Sequence, residues 1–388
     1  MLERPAGGDS AVLVSLDFGD PGYAESLREL NHLAESANVS FSAVVEGRRA
    51  RPDPSLYAGK GKVEQVAEAV RAHGASVVIF NHDLSPAQQR NLEERIKCRV
   101  IDRTALILDI FAQRAKSHEG KLQVELAQLE HLATRLVGGW THLERQKGGI
   151  GLRGPGETQL ETDRRLIGNR VKLLKDKLAR LERQRDIQRK ARRRAGVLSV
   201  SLVGYTNAGK STLFNALTRA RAYAANQLFA TLDTTSRRTY IPEFGPVVVS
   251  DTVGFIRHLP HTLVAAFHAT LEETVRADLL LHVVDSSSPN RDEQVAEVNK
   301  VLAEIRADAI PQIQVFNKGD LTGLAPEVQR DDCGRISRVR LSARTGDGVG
   351  LLRSALAEVA AARHGATRVA ADAGLADSFP APAAAQHA

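Results

Sequence analysis

Residues 204–211, with the sequence GYTNAGKS, have the residue types and spacing of a phosphate-binding loop. An apolar run at 197–203 predicts a strand before this phosphate loop, and the pattern of 212–218 predicts a helix after it. Closely spaced glycines let backbone N–H groups converge on phosphate oxygens. We expect Lys210 to neutralise the β and γ phosphates and Ser211 to place its hydroxyl on Mg²⁺. The segment therefore predicts a nucleoside triphosphate site.

A second segment, residues 251–254 (DTVG), follows a predicted strand at 247–250. We expect Asp251 to hold Mg²⁺ through water, because phosphate-loop proteins place a carboxylate at the end of a strand beside the loop. We expect the backbone N–H of Gly254 to contact the γ-phosphate. Together with the phosphate loop, this segment predicts a magnesium-dependent site.

A third segment, residues 317–320 (NKGD), carries the prediction of base specificity. The Asp320 carboxylate can accept hydrogen bonds from N1–H and N2–H₂ of guanine, whereas adenine offers neither donor. The backbone of residues 342–344 (SAR), after another predicted strand, can reach guanine O6. Such a site rejects adenine because its carboxylate would be left unpaired. The sequence therefore predicts binding of GTP and GDP.

A threonine of the switch segment, residues 228–235, should complete the metal site. A switch of this class needs a threonine that reaches Mg²⁺ and the γ-phosphate and moves away after hydrolysis. Thr231, Thr234 and Thr235 each satisfy this requirement by sequence alone.

Phe255 follows Gly254 at the position where small GTPases commonly carry a glutamine that orients the attacking water. A phenyl ring cannot do so, and we therefore expect slow intrinsic hydrolysis or a water placed by another group or by a partner. Asn207 offers one compensation, since GTPases with asparagine at this position and no catalytic glutamine can use K⁺ as a charge substitute. The alternative is that Asn207 stabilises its loop by a hydrogen bond, and both interpretations stay open here.

The elements that position these residues belong to a mixed α/β chain. Alternating strand and helix patterns predict an N-terminal α/β domain with a parallel sheet at 1–112 and a phosphate-loop GTPase α/β domain at 197–365. Between them, at 113–196, apolar residues in 4-3-4-3 spacing predict two helices in an antiparallel hairpin. Residues 366–388 are rich in alanine, and we expect them to be disordered.

The basic charge is concentrated in the predicted hairpin. Residues 141–195 hold 17 Lys and Arg against 7 Asp and Glu, a net charge of +10, and the whole chain carries +7, so the rest sums to −3. The glycine-rich segment, residues 138–156, holds seven glycines and Trp140, the chain's only tryptophan. This combination favours a probe, that is, a loop that becomes ordered when it contacts a polyanion such as RNA. A solvated charged helix and a disordered loop are the alternatives.

The composition is that of an ordinary core-forming protein, with 43% hydrophobic and 26% charged residues. No apolar run reaches the length of a membrane span, and the first residues lack a signal-peptide pattern. Cys98 and Cys333 are too few and too distant for a zinc cluster or a disulfide framework. We therefore expect a cytoplasmic monomer without stable membrane insertion, and peripheral membrane association stays open.

Residues 148–165 (GGIGLRGPGETQLETDRR) resemble the signature of the HflX GTPases, a family of ribosome-associated proteins. Residues 59–62 (GKGK), 229–233 (FATLD) and 251–255 (DTVGF) are similar to that family too, and the resemblance covers roughly residues 10–365. It implies an N-terminal α/β domain, a helical hairpin and a GTPase domain. It also favours Thr231 among the three candidate threonines.

The resemblance completes the predicted site. The predicted catalytic residues are Lys210, Thr231 and Gly254, and the predicted Mg²⁺ ligands are Ser211, Thr231 and Asp251. The residues expected to contact the nucleotide are Gly204, Tyr205, Thr206, Asn207, Ala208, Gly209, Lys210, Ser211, Thr212, Phe229, Thr231, Asp251, Thr252, Val253, Gly254, Asn317, Lys318, Asp320, Ser342, Ala343 and Arg344.

For function, the resemblance implies binding to the large (50S) ribosomal subunit and its rRNA, with GTP hydrolysis stimulated there. It also implies splitting of 70S ribosomes under stress, with the glycine-rich segment reaching toward the peptidyl-transferase centre; recycling, rescue and biogenesis are the related roles. One alternative is an RNA-binding assembly protein with the nucleotide as a structural ligand. Another is an ATP-driven RNA-remodelling enzyme that uses Lys60 and Lys62, although residues 59–62 lack a full phosphate-loop pattern.

Overall fold

The computed structural model describes residues 10–136, 159–194, 197–220, 227–242, 244–257, 259–260, 263 and 268–376. The glycine-rich segment, with Trp140, and residues 377–388 lie outside the described residues, and the expectations for them stay predictions.

Four parallel strands form the sheet of the N-terminal domain. The strands are β1 (Ser10–Asp17), β2 (Ser40–Arg48), β3 (Val77–Phe80) and β4 (Arg99–Ile101), in the order β2-β1-β3-β4. Their pairings are all parallel, as the alternating pattern predicted. The helices of this domain are α1 (Tyr23–Ser36), α2 (Lys60–His73), α3 (Pro86–Ile96) and α4 (Arg103–Arg114).

Side chains of β1 alternate between two cores, because successive residues of a strand point to opposite faces. Val12 and Val14 enter a core that also holds residues of α2 and α3. Leu13 enters a second core with residues of α1 and α4, and this core continues into the GTPase domain through Phe229 and Phe255. The N-terminal domain is therefore packed directly against the segments that are predicted to bind the nucleotide.

Helices α5 (His118–Arg135) and α6 (Gln159–Arg194) form the hairpin. Leu122 and Leu126 of α5 and Leu174 of α6 are buried together, as the 4-3-4-3 spacing predicted. Glu119 forms an ion pair with Arg185 at 2.7 Å, and Glu130 forms one with Lys175 at 2.8 Å. Because the partners advance along α5 and recede along α6, the two helices are antiparallel.

The GTPase domain is built on a seven-stranded sheet. Its strands are β5 (Leu198–Gly204), β6 (Thr235–Ile241), β7 (Gly245–Asp251), β8 (Leu279–Asp285), β9 (Gln312–Asn317), β10 (Glu327–Arg330) and β11 (Ile336–Arg340), in the order β10-β11-β9-β8-β5-β7-β6. The outer pairs β6–β7 and β10–β11 are antiparallel and the inner pairs are parallel. The helices are α7 (Lys210–Thr218), α8 (His268–Val275), α9 (Arg291–Glu304), α10 (Gly319–Thr322) and α11 (Val349–Ala376).

The end of α11 differs from the expectation of disorder from residue 366, since the helix continues to Ala376. Alanine has the highest helix propensity, so an alanine-rich composition also suits a helix that extends from a packed domain. Among the helices of the described residues, none has the length and apolarity that a bilayer crossing requires.

One buried histidine of the GTPase core gives a prediction about pH. His282 of β8 is 1% exposed; its burial lowers its pKa to about 4, with Lys210 acting in the same direction and a hydrogen bond to Gln312 opposing. An unfolded chain protonates this histidine near pH 6.5, so lowering the pH from 6.5 to 4.5 favours unfolding. We expect His282→Leu to reduce the loss of unfolding free energy across this interval by about 2 to 3 kcal/mol.

Urea unfolding at pH 7.0, 6.5, 5.5 and 4.5 measures this effect within each protein, so packing changes common to all pH values cancel. His32 is an exposed histidine that contacts Glu35 at 3.2 Å, and His32→Gln is the control for removing a histidine from the surface. An unchanged pH dependence in His282→Leu would contradict the prediction.

Candidate nucleotide-binding site

The phosphate loop joins β5 to α7 and has glycines where side chains do not fit. Gly204 has φ 147°, and a Cβ there would lie 2.2 Å from the carbonyl oxygen of Val283. Gly209 has φ 93°, and a Cβ there would lie 2.2 Å from Nδ2 of Asn317. The two glycines of the motif are therefore required by the close approach of neighbouring segments, as well as by the ligand that the motif predicts.

Lys210 begins α7, and its ammonium group is buried inside the loop. Its Nζ donates hydrogen bonds to the carbonyl oxygens of Gly204 at 3.1 Å and Tyr205 at 2.8 Å. Burial lowers the pKa of Lys210 to about 8, and the nearby Asp251 carboxylate opposes this shift. The cation is thus held at the loop by acceptors that phosphate oxygens could replace.

The three predicted metal ligands lie together. The sheet register places Asp251, at the end of β7, beside Leu202 of β5 and so next to the phosphate loop. Asp251 Oδ2 accepts hydrogen bonds from Ser211 Oγ at 2.7 Å and Thr231 Oγ1 at 3.0 Å, and the two hydroxyl oxygens are 2.7 Å apart. Of the three candidate threonines, Thr231 is the one predicted from the family resemblance, and it contacts both other ligands.

The environment of Asp251 fits a small divalent cation. Its Oδ1 is buried without a hydrogen-bond partner among the described residues. Burial raises the pKa of Asp251, while Ser211, Lys210 and Thr231 oppose the shift. A carboxylate and two hydroxyl groups are hard oxygen donors, which Mg²⁺ prefers. A bound cation would add positive charge beside this buried carboxylate, in addition to that of Lys210.

Gly254 lies where a side chain would collide with the loop. A Cβ at this position would be 2.9 Å from Lys210 Nζ and 2.9 Å from Thr206 Cα. The next residue, Phe255, accepts a backbone hydrogen bond from Thr206 at 2.7 Å and donates one to Gly204 at 3.1 Å. Its ring is 1% exposed and belongs to the core shared with the N-terminal domain. No water-orienting group therefore comes from position 255.

Asn317 connects the predicted base-reading segments to the phosphate loop. Its Nδ2 donates to the carbonyl oxygen of Ala208 at 2.9 Å, and its Oδ1 accepts from the backbone N–H of Ala343 at 2.9 Å. Asp320 Oδ1 accepts from Ser342 Oγ at 2.7 Å. These bonds hold the Asp320 carboxylate and the backbone of residues 342–344 at one end of the cleft, as the guanine prediction requires.

Most of the predicted nucleotide contacts line one open cleft of about 570 Å³. Gln227, Ala230 and Leu321 also line it, and the sequence analysis missed them. Leu321 is 63% exposed beside Asp320, and an apolar residue directly after the base-reading aspartate was the available signal for it. The predicted residues among its lining are Thr206, Asn207, Gly209, Lys210, Ser211, Thr212, Phe229, Thr231, Thr252, Gly254, Asn317, Lys318, Asp320 and Arg344.

Other predicted residues support the cleft from behind. Tyr205 is 8% exposed and directs its hydroxyl to Glu29 of α1, and this hydroxyl accepts from the backbone N–H of Arg257 at 2.7 Å. Burial raises the pKa of Tyr205, and Glu29 adds to the shift. Thr252, which does line the cleft, donates its hydroxyl to the carbonyl oxygen of Leu202 at 2.6 Å. The Tyr205 side chain thus lies at the interface with the N-terminal domain. The remaining predicted residues outside the cleft lining are Gly204, Ala208, Asp251, Val253, Ser342 and Ala343.

The basic loop of the N-terminal domain has a local role in the structure. Gly59, with φ 80°, precedes α2. Lys62 Nζ donates to the carbonyl oxygen of Glu46 and to Oε1 of Gln65, both at 2.7 Å. These bonds join α2 to β2 and give Lys62 a structural role in the N-terminal domain.

Three family models match the chain in succession. The model described as "GTP-binding GTPase N-terminal" matches residues 24–112, and "GTP-binding GTPase Middle Region" matches residues 114–192. The model described as "50S ribosome-binding GTPase" matches residues 199–318, which include the phosphate loop and the switch segment.

Curated proteins named GTPase HflX are similar to nearly the whole chain. The one from Escherichia coli (strain K12) is 59% identical over 359 residues, which cover 92% of this chain and 84% of the relative. The one from Magnetococcus marinus is 49% identical over 362 residues, covering 92% of this chain and 83% of the relative. The chain belongs to the HflX family of GTPases. Like the other members of the HflX family, it is a P-loop GTP hydrolase.

A solved structure supports the fold of this HflX-family chain. The crystal structure of a complex of the protein SsGBP with GDP matches with a TM-score of 0.50 and 24% identity, and covers 91% of this chain and 99% of that chain. The predicted mixed α/β class, with a parallel N-terminal sheet, a helical region and a phosphate-loop GTPase domain, is confirmed.

Proposed function

We propose that this GTPase binds the large (50S) ribosomal subunit through rRNA and hydrolyses GTP to GDP and phosphate with Mg²⁺. The catalytic part of this proposal is supported by one observation. Side-chain oxygens of Ser211, Thr231 and Asp251 lie within 3.0 Å of one another, beside the buried Lys210. The ribosomal part is supported by the matched family model and by the basic hairpin. Splitting of ribosomes is the role we infer within this activity.

Each predicted residue of the cleft would have a distinct part of the nucleotide to contact. Backbone N–H groups of the phosphate loop would surround the β-phosphate, and Lys210 would exchange its carbonyl acceptors for phosphate oxygens. Mg²⁺, held by Ser211, Thr231 and Asp251, would neutralise charge on the phosphates. The Gly254 N–H and Thr231 would both depend on the γ-phosphate, so its loss would release the switch segment.

The placement of the attacking water is the open step of this mechanism, because Phe255 is buried in the core. We infer that a partner or another group of the cleft places the water. Asn207 has φ 61°, a left-handed conformation that asparagine tolerates better than most residues, which supports its role in shaping the loop.

A cation comparison tests the K⁺ hypothesis for Asn207. If Asn207 serves the loop alone, we expect equal GTP turnover in matched K⁺ and Na⁺ buffers, at the same ionic strength and Mg²⁺ concentration. Faster turnover in K⁺ that disappears in Asn207→Asp or Asn207→Ala would contradict the loop role and support K⁺ as a charge substitute.

The outer face of α6 supplies a surface for a polyanion. Along this helix several lysines and arginines are exposed, while Leu174, Leu178 and Leu181 pack toward α5. Contacts between such side chains and phosphates make binding fall steeply with salt. The exposed basic residues are Arg164, Arg165, Arg170, Lys172, Lys175, Lys177, Arg180 and Arg183.

Deletion of residues 148–156 tests the splitting role separately from nucleotide binding. We expect the deletion variant to bind GTP and GDP as the full chain does, because all residues that line the cleft lie between Thr206 and Arg344. We expect it to lose splitting of 70S ribosomes, measured by sedimentation of the subunits. Retained splitting would contradict the probe role of the glycine-rich segment, and lost GTP binding would show a structural role instead.

A further inference from the structure

The switch segment is attached to the hairpin by the carboxylate of Asp233. Oδ2 of Asp233 accepts hydrogen bonds from the backbone N–H groups of Lys116 and Ser117, both at 2.8 Å. Its Oδ1 accepts a third from Ser117 Oγ at 2.6 Å. Ser117 is also the N-cap of α5, where its Oγ accepts from the backbone N–H of Gly120 at 2.8 Å. The carboxylate thus lies at the start of the first hairpin helix, where negative charge is favoured.

The residue type at position 120 is independent support for this attachment. A Cβ at Gly120 would lie 2.0 Å from Oδ1 of Asp233. Glycine inside a helix is less favourable than alanine, so its presence in the first turn of α5 needs a reason. The space that a methyl group would fill is occupied by the carboxylate, and three hydrogen bonds keep that carboxylate in place.

Asp233 is two residues from Thr231, and the residue between them is fixed as well. Leu232 is 2% exposed, in the core that also contains residues of α4 and α5. The backbone after Thr231 is therefore fixed by a buried side chain and then by an anchored carboxylate. Small movements of this backbone would carry the Thr231 hydroxyl away from Ser211 and Asp251, which it now contacts at 2.7 Å and 3.0 Å.

We propose that Asp233 is a positioning residue, which holds the Thr231 hydroxyl at the metal site by anchoring the switch segment to the N-terminus of α5. This inference rests on the proposed function, since it requires Thr231 to act in GTP hydrolysis. Its consequence is that the metal site depends on the position of the hairpin, the part proposed to meet rRNA. By linkage, if the position of the hairpin changes GTP affinity by some factor, bound GTP changes the equilibrium for that position of the hairpin by the same factor.

A double-mutant cycle with the full chain tests this inference. We expect Asp233→Ala to lower kcat for GTP by about tenfold to a hundredfold, since a misplacement of about 1 Å at a reacting site can cost a hundredfold. GDP affinity should stay unchanged, because no γ-phosphate contact is involved. Asp233→Asn should be intermediate, since its amide oxygen still accepts backbone N–H bonds. In a Thr231→Ala background, Asp233→Ala should cause no further loss.

Two additional variants separate positioning from stability. Asp331 also accepts backbone N–H bonds, from Cys333 at 3.0 Å and Arg335 at 2.8 Å, in an exposed turn away from the cleft, so Asp331→Ala is the matched control with wild-type turnover. Gly120→Ala keeps the Asp233 carboxylate but displaces it, and it improves the helix propensity of α5. We expect Gly120→Ala to lower kcat like Asp233→Ala, with a cooperative thermal unfolding transition that excludes a folding defect.

Wild-type turnover in Asp233→Ala or in Gly120→Ala would overturn the inference. Additive effects of Asp233→Ala and Thr231→Ala would also overturn it, because they would show that Asp233 acts independently of Thr231. Full activity of Thr231→Ala alone would instead contradict the proposed function, at the level of the metal site. The two failures are therefore distinguishable in the same set of measurements.

Discussion

We expect replacement of Lys210 by alanine to lower GTP turnover by about a thousandfold, because this ammonium group stabilises charge on the transferred phosphate. Removal of a single preorganised donor of this kind commonly costs a hundredfold to a thousandfold in kcat. In the structure the Lys210 ammonium group is held against the Gly204 and Tyr205 carbonyl oxygens, so the substitution removes a positive charge that the loop already positions. Single-turnover phosphate release at saturating GTP measures the effect.

Lys62→Ala is the matched control for this experiment. Lys62 also donates to a backbone carbonyl oxygen, that of Glu46, but it lies in the N-terminal domain. We expect this variant to turn over GTP as the wild type does. ATP turnover that survives in Lys210→Ala and is lost in Lys60→Ala would instead support the ATP-driven alternative.

The second large effect concerns the base. Asp320→Asn replaces a carboxylate, which can accept from both N1–H and N2–H₂ of guanine, with an amide that accepts one bond and donates another. Xanthine offers N1–H and a carbonyl group at C2, so it is the base that fits the amide. We expect the ratio of kcat/KM for GTP to that for XTP to fall by about 10⁴, the discrimination typical of sites built to hydrogen-bond a substrate N–H.

Competition between GTP and XTP in a turnover assay measures this ratio. Asp308, an exposed aspartate between α9 and β9, gives the control variant Asp308→Asn, for which we expect the wild-type preference. An unchanged preference in Asp320→Asn would show that the base is read elsewhere, and the role of residues 317–320 would then be wrong.

The sequence predicted the elements that local patterns determine. Alternation of strands and helices predicted both α/β regions, and the 4-3-4-3 spacing predicted a helical hairpin, in which Leu122 and Leu174 are buried together. The phosphate loop could be predicted in detail because its glycines and its lysine must satisfy one ligand geometry. The meeting of Ser211 with Asp251 follows from the pairing of two adjacent parallel strands, β5 and β7.

Contacts between the domains could not be predicted, because a pattern shows that a side chain is buried but not what it is buried against. Phe255 was interpreted only as a missing glutamine, whereas its ring helps form the core that joins the domains. Tyr205 was predicted to contact the nucleotide, and the bond of its hydroxyl to Glu29, 176 residues earlier, could not be predicted. Asp233 was named only as part of the switch segment, and its partners at the start of α5 are more than a hundred residues away.

The most direct test of the central claim measures GTP turnover with and without purified large ribosomal subunits, together with cosedimentation in a GTP analogue and in GDP. The account predicts slow turnover by the chain alone, strong stimulation by the large subunit, and cosedimentation that is greater with the GTP analogue and decreases with salt. Equal turnover with and without subunits, with the same cosedimentation in both nucleotides, would contradict a nucleotide-controlled ribosomal role and leave the nucleotide as a structural ligand.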